Sequence, residues 1–530
     1  MRYIKPSHFG IIITLLIGVQ TIAILLSLTL KSVSQKVFVE KPIETSNQTV
    51  SDVKEPSAAN LYRNKLPVLQ EDKEKKEEIK NEFLFAWNNY NKNAWGYDFY
   101  DPISHRGHNV FNGALMIVDS LDTIVIMGLD KEYEKSKEWI KNSYKLSGTY
   151  SVFEIIIRLL GSFIALYQMK KDQMFLDKAI EIADHVLSLC NEDGFYPRLA
   201  RFEYKDGKSY VYPASGSQII LADIGTMQME FYTLSMMTCQ EKYAKAANKI
   251  YNRLFTLYPN DGLYPQYLNR KGHSMDNTRS VDSLSDSYYE YLMKIYILTN
   301  GTQDVFLEKY LKTADDIENR LLAEFKDNDK TYKFLGRLRP NGHLERAMSH
   351  LVTFIPGLLT IGTVKQNPRS KEHLLLADEL VNTYCHLYSY TKTGLMPEVI
   401  SINDNSVREI DSKYKLRPET VESLFVLYRF TGDKKYRDKA WEIFQAIKKN
   451  CKIESGYLEN GNVNADPPVH SDVMDSYFLA ETFKYLYLIF SSSDVIPNDK
   501  YVFNTEAHPF HVWKEEECEK MKDIIGFYKK

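Results

Sequence analysis

Apolar residues recur with a helical period along most of the chain. Ile79, Phe83, Ala86, Trp87 and Tyr90 stand at i, i+4, i+7, i+8 and i+11, one stripe of an amphipathic helix. The charged run at 71–80 (EDKEKKEEIK) supplies its solvated first turns. Other segments are apolar nearly all round: 152–169 (VFEIIIRLLGSFIALYQM), 225–235, 288–298, 422–430 and 476–490. A helix without a polar face must be packed on every side. Short breaks carrying Gly or Pro separate the segments, at 191–194, 258–262, 391–394 and 431–433. Amphipathic helices alternating with fully apolar ones predict two concentric layers, an all-α fold of the α/α-barrel kind. Strand-like stretches are few, with 210–212 and 332–335 as hairpin edges. No βαβ rhythm supports a Rossmann or TIM architecture.

One apolar stretch is of another kind. Residues 10–30 (GIIITLLIGVQTIAILLSLTL) carry no charge, and at 1.5 Å per residue they span roughly 30 Å, one hydrocarbon core. They read as a signal anchor, with 1–9 a cytoplasmic tail too short to hold a function, 31–75 a luminal stem and 76–530 the catalytic region. Arg2 and Lys5 before the span are nearly balanced by Lys31 and Lys36 after it. The stem has a single aromatic, Tyr62, between Glu40 and Leu66, too little to order itself. Asn47 and Asn300 each open an Asn-x-Thr triplet, usable in a lumen.

Composition narrows the class. Of 530 residues, 44% are hydrophobic and 13% aromatic, which excludes global disorder. With 67 Lys and Arg against 70 Asp and Glu, the net charge of -3 leaves no electrostatic footprint for nucleic acid. Five scattered cysteines make neither a disulfide scaffold nor a zinc site.

The chemistry lies in acids embedded in apolar helices, each of which needs a partner, a metal or a task. Glu154, in SVFEIIIRLLG, is either paired with Arg158 one turn on or held protonated as a general acid. Asp286 precedes Ser287 and Glu290, an S-x-x-E capping box, and so sits at a helix start. Pro418 suits a first helical position, which puts Glu419 and Glu422 in the opening turns. Glu481, in DSYFLAETFKYLYLIF, has Lys484 as its simplest partner. Thr505 and Glu506 read as a polar loop, and His350 as a core or capping histidine. There is no H-E-x-x-H, G-x-S-x-G or P-loop motif. Carboxylates turned into a helical barrel fit glycoside hydrolysis, whose oxocarbenium-like transition state needs a proton donor and a base.

Ten stretches, taken together, resemble glycoside hydrolase family 47, the class I α-1,2-mannosidases: AWNNYNKNAWGYD (86–98), VDSLDTIVIMGL (118–129), VFEIIIRLLG (152–161), ADIGTMQMEF (222–231), DSYYEYLMK (286–294), HLVTFIPG (350–357), GLMPE (394–398), LRPETVESLFVLYRFTGD (416–433), LAETFKYLYLIF (479–490) and VFNTEAHP (502–509). The resemblance implies an (αα)7 barrel with a calcium ion at its base, ligated directly by Thr505. Waters held by Glu419, Glu422, Glu481 and Glu506 would complete the shell. It implies inversion at the anomeric carbon, with Glu154 as proton donor through a water, Glu419 as base and Asp286 as the third essential acid, either acidic or orienting. Arg158, Asp223, Arg417, Pro418 and Tyr477 match substrate-pocket positions, and His350 and Glu398 match pocket lining. The implied substrate is a high-mannose N-glycan, met in the ER or Golgi by a single-pass type II membrane protein.

The chain departs from the family pattern where Asp223 replaces Glu, Phe99 and Ser349 replace acids, and Thr353 stands at a disulfide cysteine whose partner, Cys385, is displaced by one residue. That disulfide is expected to be absent. Leu284 stands where members that remove one mannose carry Arg, so trimming of several branches is expected. The departures keep a second reading open, a mannose-binding quality-control lectin or weak mannosidase in glycoprotein degradation.

Overall fold

Asp72 opens the first helix, its carboxylate accepting the Lys75 N–H at 3.2 Å. The acid-rich run that follows stays at the surface while Ile79, Phe83, Trp87 and Tyr90 turn inward, as their spacing predicts. This helix, α1 (Lys73–Asn93), belongs to a computed structural model that describes residues 66–206, 208–214, 218–364, 367 and 369–526. The expected tail, anchor and nearly all of the expected stem lie outside the described residues. The last part of the segment read as stem packs on the helices: Leu69 is buried and the Asp72 N–H donates to the Phe490 carbonyl at 2.8 Å.

Helices of two kinds then alternate. The odd ones are amphipathic and outer: α3 (Asp130–Ser143), α5 (Gln173–Leu189), α7 (Glu241–Leu257), α9 (Asp304–Asp316), α11 (Ser370–Ser389) and α13 (Lys434–Cys451). On α3 only Tyr133, Ser136 and Ile140 are buried, one stripe. The even ones are inner: α2 (Leu115–Ile126), α4 (Val152–Lys170), α6 (Gln228–Thr238), α8 (Asp286–Leu298), α10 (Ile355–Ile361), α12 (Glu419–Thr431) and α14, a π-helical turn Phe478–Thr482 running into Phe483–Phe490. Every residue of α8 after Asp286 is buried, and every residue of Phe483–Phe490. Each inner helix packs on the next and α14 returns to α2, so the inner ring closes; outer helices back it. This is the helical barrel that the pattern predicts. Among the described residues one helix, Val152–Lys170, is long and apolar enough to cross a membrane, but it is the barrel's own α4, 72% of its apolar window buried inside the protein.

The two ends of the barrel differ. Inner helices pass to outer ones through tight turns, with left-handed residues at Lys171, Cys239 and Gly432 after α4, α6 and α12. Outer helices pass to inner ones through long loops that carry hairpins, among them the sheet of β1 (Gly148–Ser151), β2 (Leu199–Lys205) and β3 (Lys208–Pro213). Strands are more numerous than the sequence suggests, because these short hairpins hold polar loops and leave little apolar alternation to read. The long loops therefore gather where the inner helices begin. The N–H ends of those helices carry positive partial charge, which suits carboxylates.

After α14 the chain re-enters the barrel from the opposite end as a hairpin, β4 (Tyr501–Phe503) and β5 (Pro509–His511). Trp513 N–H meets the carbonyl of Leu298 at the end of α8, and His511 N–H meets Gln168 near the end of α4. Deeper in, Asn504 Nδ2 reaches the Ile157 carbonyl at 3.0 Å. Gly161 is what lets α4 pass this tip. A Cβ there would lie 2.5 Å from Asn504 Nδ2 and 2.9 Å from the His508 ring. Gly161→Ala is therefore expected to destabilise the protein by about 1–3 kcal/mol through overpacking, in spite of alanine's better helix propensity, as read by denaturant unfolding.

Candidate active site

Where the inner helices begin, a cavity of about 330 Å³ opens, with the hairpin tip as its floor. Glu154 and Arg158 reach it from α4, Asp286 and Glu290 from α8, Glu419 and Glu422 from α12, Tyr477 and Glu481 from the start of α14, and Thr505 and Glu506 from the tip. Asp223, Leu284, Arg417 and Pro418 complete its walls. These side chains come from segments more than 300 residues apart. The π-helical turns at Ile155–Leu160 and Phe478–Thr482 fall at two of these wall segments, one of them carrying Glu481.

Arg158 is the hub. Its Nε meets Glu154 at 2.6 Å, and its Nη1 meets Asp119 at 3.1 Å, Ser476 Oγ at 3.0 Å and Glu506. Burial works against its charge, and Glu506, Glu154 and Asp119 overcome it, holding the guanidinium firmly protonated. Asp286 is pushed up to about 8, by burial first and then by Asp282, Glu290 and Glu419, with the Ser287 N–H opposing, so its surroundings favour the protonated carboxyl. Glu422 is pushed up to about 8 by burial, with Lys294 opposing and Glu290 and Glu419 adding to the rise. Glu419 is held from behind: His350 Nδ1 lies 2.8 Å from its Oε2, and Tyr388 lies 2.7 Å from His350 Nε2.

His350 and Glu398 are set back from the cavity. Glu398 takes the Arg417 guanidinium in two-pronged fashion, Nε at 2.8 Å and Nη2 at 2.6 Å, and so aims Arg417 at the cavity. The Tyr477 ring centroid lies 5.8 Å from the guanidinium carbons of both Arg158 and Arg417. Two expected local pairings do not form. Glu290 joins no capping box; it turns inward to Lys294 and to the Thr505 hydroxyl, which donates to it at 2.7 Å, while the helix starts at Asp286 itself. Lys484 does not pair with Glu481; it is drawn to Asp122 at 2.9 Å and the Ala507 carbonyl at 2.7 Å. Lys484 is taken by a partner far along the chain, while Glu290 keeps a lysine one turn away and adds Thr505 from the hairpin tip.

The departures from the family pattern are each absorbed. Asp223 is bonded to Arg198 at 3.1 Å, and burial pushes its pKa up to about 7 against that partner. Ser349 donates to Asp282. Phe99 stacks on His108, 5.1 Å between centroids. The Thr353 hydroxyl accepts from Thr420 at 2.8 Å, and all five cysteines are free thiols. Leu284 holds a left-handed φ of 77°, its carbonyl bonded to the Ala222 N–H at 3.0 Å.

The residues that sequence reasoning missed lie beneath the tip. Asp119 and Asp122 of α2 flank His508, at 3.3 and 2.9 Å, all fully buried. Burial opposes the charge of both aspartates, yet His508 with Arg158 on one and Lys484 on the other hold them below the usual carboxylate range. The signal was present as VDSLDT, two acids three residues apart in an apolar helix, and as the lysine in FKYLYLIF. The Asn504 side-chain oxygen accepts from the N–H groups of Glu506 and His508, both at 2.9 Å, and so shapes the tip around Thr505.

Among the described residues no group of three or more His, Cys, Asp or Glu forms a direct ligand set. The donors are of another kind, a threonine hydroxyl with Glu290, Glu422, Glu481 and Glu506 on the surrounding cavity wall. Glu481 and Glu506 are both pushed well above the carboxylate range, by burial foremost and then by neighbouring acids, with Arg158 opposing. Hard oxygens and crowded carboxyls short of positive charge fit a calcium ion whose remaining ligands are waters. Lys484→Met is expected to cost about 3–5 kcal/mol of stability in chemical denaturation, since it strands the buried Asp122 carboxylate without its lysine.

Known proteins resemble this chain over most of its length. Residues 82–512 match Glycosyl hydrolase family 47. The mouse protein "Mannosyl-oligosaccharide 1,2-alpha-mannosidase IB" is 36% identical over 460 residues, 84% of this chain and 71% of its own. The Arabidopsis thaliana protein "Mannosyl-oligosaccharide 1,2-alpha-mannosidase MNS1" is 37% identical over 449 residues, 83% of this chain and 79% of its own. The solved structure of an alpha-1,2-mannosidase from Trichoderma reesei superposes with a TM-score of 0.77 at 25% identity, covering 84% of this chain and all of that one. By its matched span and by these relatives, the chain belongs to glycosyl hydrolase family 47 and is a glycoside hydrolase.

Proposed function

We propose that this protein is a calcium-dependent, inverting α-1,2-mannosidase that trims several terminal α-1,2-linked mannoses from high-mannose N-glycans. It works in the lumen of the ER or Golgi, held by residues 10–30 as a membrane anchor. The observation that carries this reading is the convergence of Glu154, Asp286 and Glu419 on one cavity whose floor is Thr505.

In the reaction a water bonds to the anomeric carbon as the bond to the leaving oxygen breaks. Glu419 takes the proton of that water. With Tyr388 donating to His350 Nε2, the imidazole presents Nδ1–H to Glu419 and fixes the base without protonating it. Glu154 enters the step protonated, passes that proton through a second water to the leaving oxygen, and ends as the carboxylate that Arg158 holds. Asp286, whose surroundings favour the protonated carboxyl, donates a hydrogen bond into the cavity and adds no negative charge beside the base. Inverting sites keep their carboxyls roughly 6.5–9.5 Å apart, room for the attacking water. Arg158, Arg417 and Tyr477 bind and orient the sugar. Thr505, with Glu422, Glu481 and Glu506 around it, would hold the calcium, which would supply Lewis acidity toward the bound sugar.

The test uses the full chain and a nine-mannose glycan. Mannose release that a calcium chelator abolishes is expected, with β-mannose as the first product seen by proton NMR. Release of α-mannose would remove inversion, and glycan binding with no release would favour a lectin. Glu419→Gln is expected to lower kcat by about 10²–10⁴-fold with little change in glycan binding. Leu284→Arg should shift the products toward fewer mannoses removed, because a guanidinium fork can fix one branch where leucine cannot. An unchanged product ladder would end that assignment.

A further inference from the structure

Of the thirteen large apolar side chains exposed among the described residues, four lie on the single hairpin β2–β3: Leu199, Tyr204, Tyr210 and Tyr212. Pairing within the sheet sorts its side chains. Ser151 lies opposite Leu199, Arg201 lies between Thr149 and Tyr212, and Glu203 lies opposite Tyr210. Residues paired across antiparallel strands share a face, as do residues two apart along a strand. One face therefore holds Ala200 and Phe202, both buried, and packs on the barrel. The other holds Leu199, Arg201, Tyr210 and Tyr212 and meets solvent, the tyrosines 40% and 48% exposed.

This outward face starts at the active-site wall. Ser151, on the same face, lines the cavity three residues before Glu154, and its hydroxyl accepts the Glu154 N–H. Arg198, next to Leu199, also lines the cavity and accepts the Val152 N–H through its carbonyl. At about 3.3 Å per residue, Tyr212 lies roughly 7 Å and Tyr210 roughly 13 Å along the sheet from the Ser151–Leu199 pair. Arg201 is steadied by Glu203 at 3.0 Å, with its side chain 63% exposed. Two aromatic faces and a guanidinium in a line suit a saccharide. The apolar face of a pyranose lies against a tyrosine ring, and its hydroxyls accept from arginine. A path of this length from the cavity is longer than the one sugar being cut.

We infer that the outward face of this sheet, carried by Arg201, Tyr210 and Tyr212, binds mannose residues of the branch that is not being cleaved. This rests on the mannosidase reading above. The sheet holds the uncut arm while the cavity takes the terminal sugar, so it selects for branched glycans over isolated disaccharides. None of the three residues touches the reacting atoms.

The full chain with calcium is compared with the Tyr210→Ser/Tyr212→Ser double variant. Binding of the nine-mannose glycan is measured by calorimetry on a Glu419→Gln background, and hydrolysis of α-1,2-mannobiose on the Glu419 background. Glycan affinity is expected to fall about tenfold, with kcat/KM on mannobiose unchanged. Tyr210→Phe/Tyr212→Phe should bind as the parent does, since the ring faces remain. Arg201→Ser should weaken glycan binding by about threefold through its lost donors. Equal glycan affinity in the parent and the serine double variant would overturn the inference, as would an equal loss on mannobiose. Weakened glycan binding in a protein whose parent releases no mannose from the nine-mannose glycan would leave the platform standing and remove the α-1,2-mannosidase reading.

Discussion

The arrangement depends on a buried contact between opposite charges: the inner helices grip the tip of a hairpin that enters the barrel from the far end. Asp119, Asp122, His508 and Lys484 meet there with no exposure. Burial opposes the His508 charge, but the two aspartates beside it raise its pKa. Such a cluster is costly to desolvate and is tolerable only when each member is paired in good geometry. That requirement fixes where the tip stops, and hence where Thr505 stands. Arg158 extends the same network upward to Glu154.

The barrel explains why so many acids can share one cavity. Glu154, Asp286 and Glu419 all stand at or near the first residues of inner helices, where unpaired N–H groups favour negative charge. The cavity nevertheless holds more carboxyl groups than nearby arginine and lysine can balance. Burial and mutual repulsion raise Asp286 and Glu422, and His350 holds Glu419 in place from behind the wall. A floor built this way offers hard oxygens and uncompensated negative charge.

The substitutions that set this chain apart from the family pattern sit at the rim and behind the wall. Asp223, one methylene shorter than the usual glutamate, leans on Arg198, and the same stretch of chain continues into the outward tyrosine face. Ser349 and Thr353 keep their places through hydroxyl hydrogen bonds, so neither a lost acid nor a lost disulfide leaves a hole.

The sequence by itself determined the two classes of helix, because a helix with one apolar stripe and a helix apolar all round can only be outer and inner. It also marked Glu154, Asp286, Glu419 and Thr505, through motifs whose order along the chain is that of the family. Local pattern could not say which partner each charge would take. Lys484 left Glu481 for Asp122, Glu290 left a capping box for Lys294 and Thr505, and His350 and Glu398 withdrew to brace Glu419 and Arg417. Those choices were made by tertiary structure, because in a low-dielectric interior the partner that the fold places best wins, whether it lies one helical turn away, as Lys294 does for Glu290, or 362 residues away, as Asp122 does for Lys484.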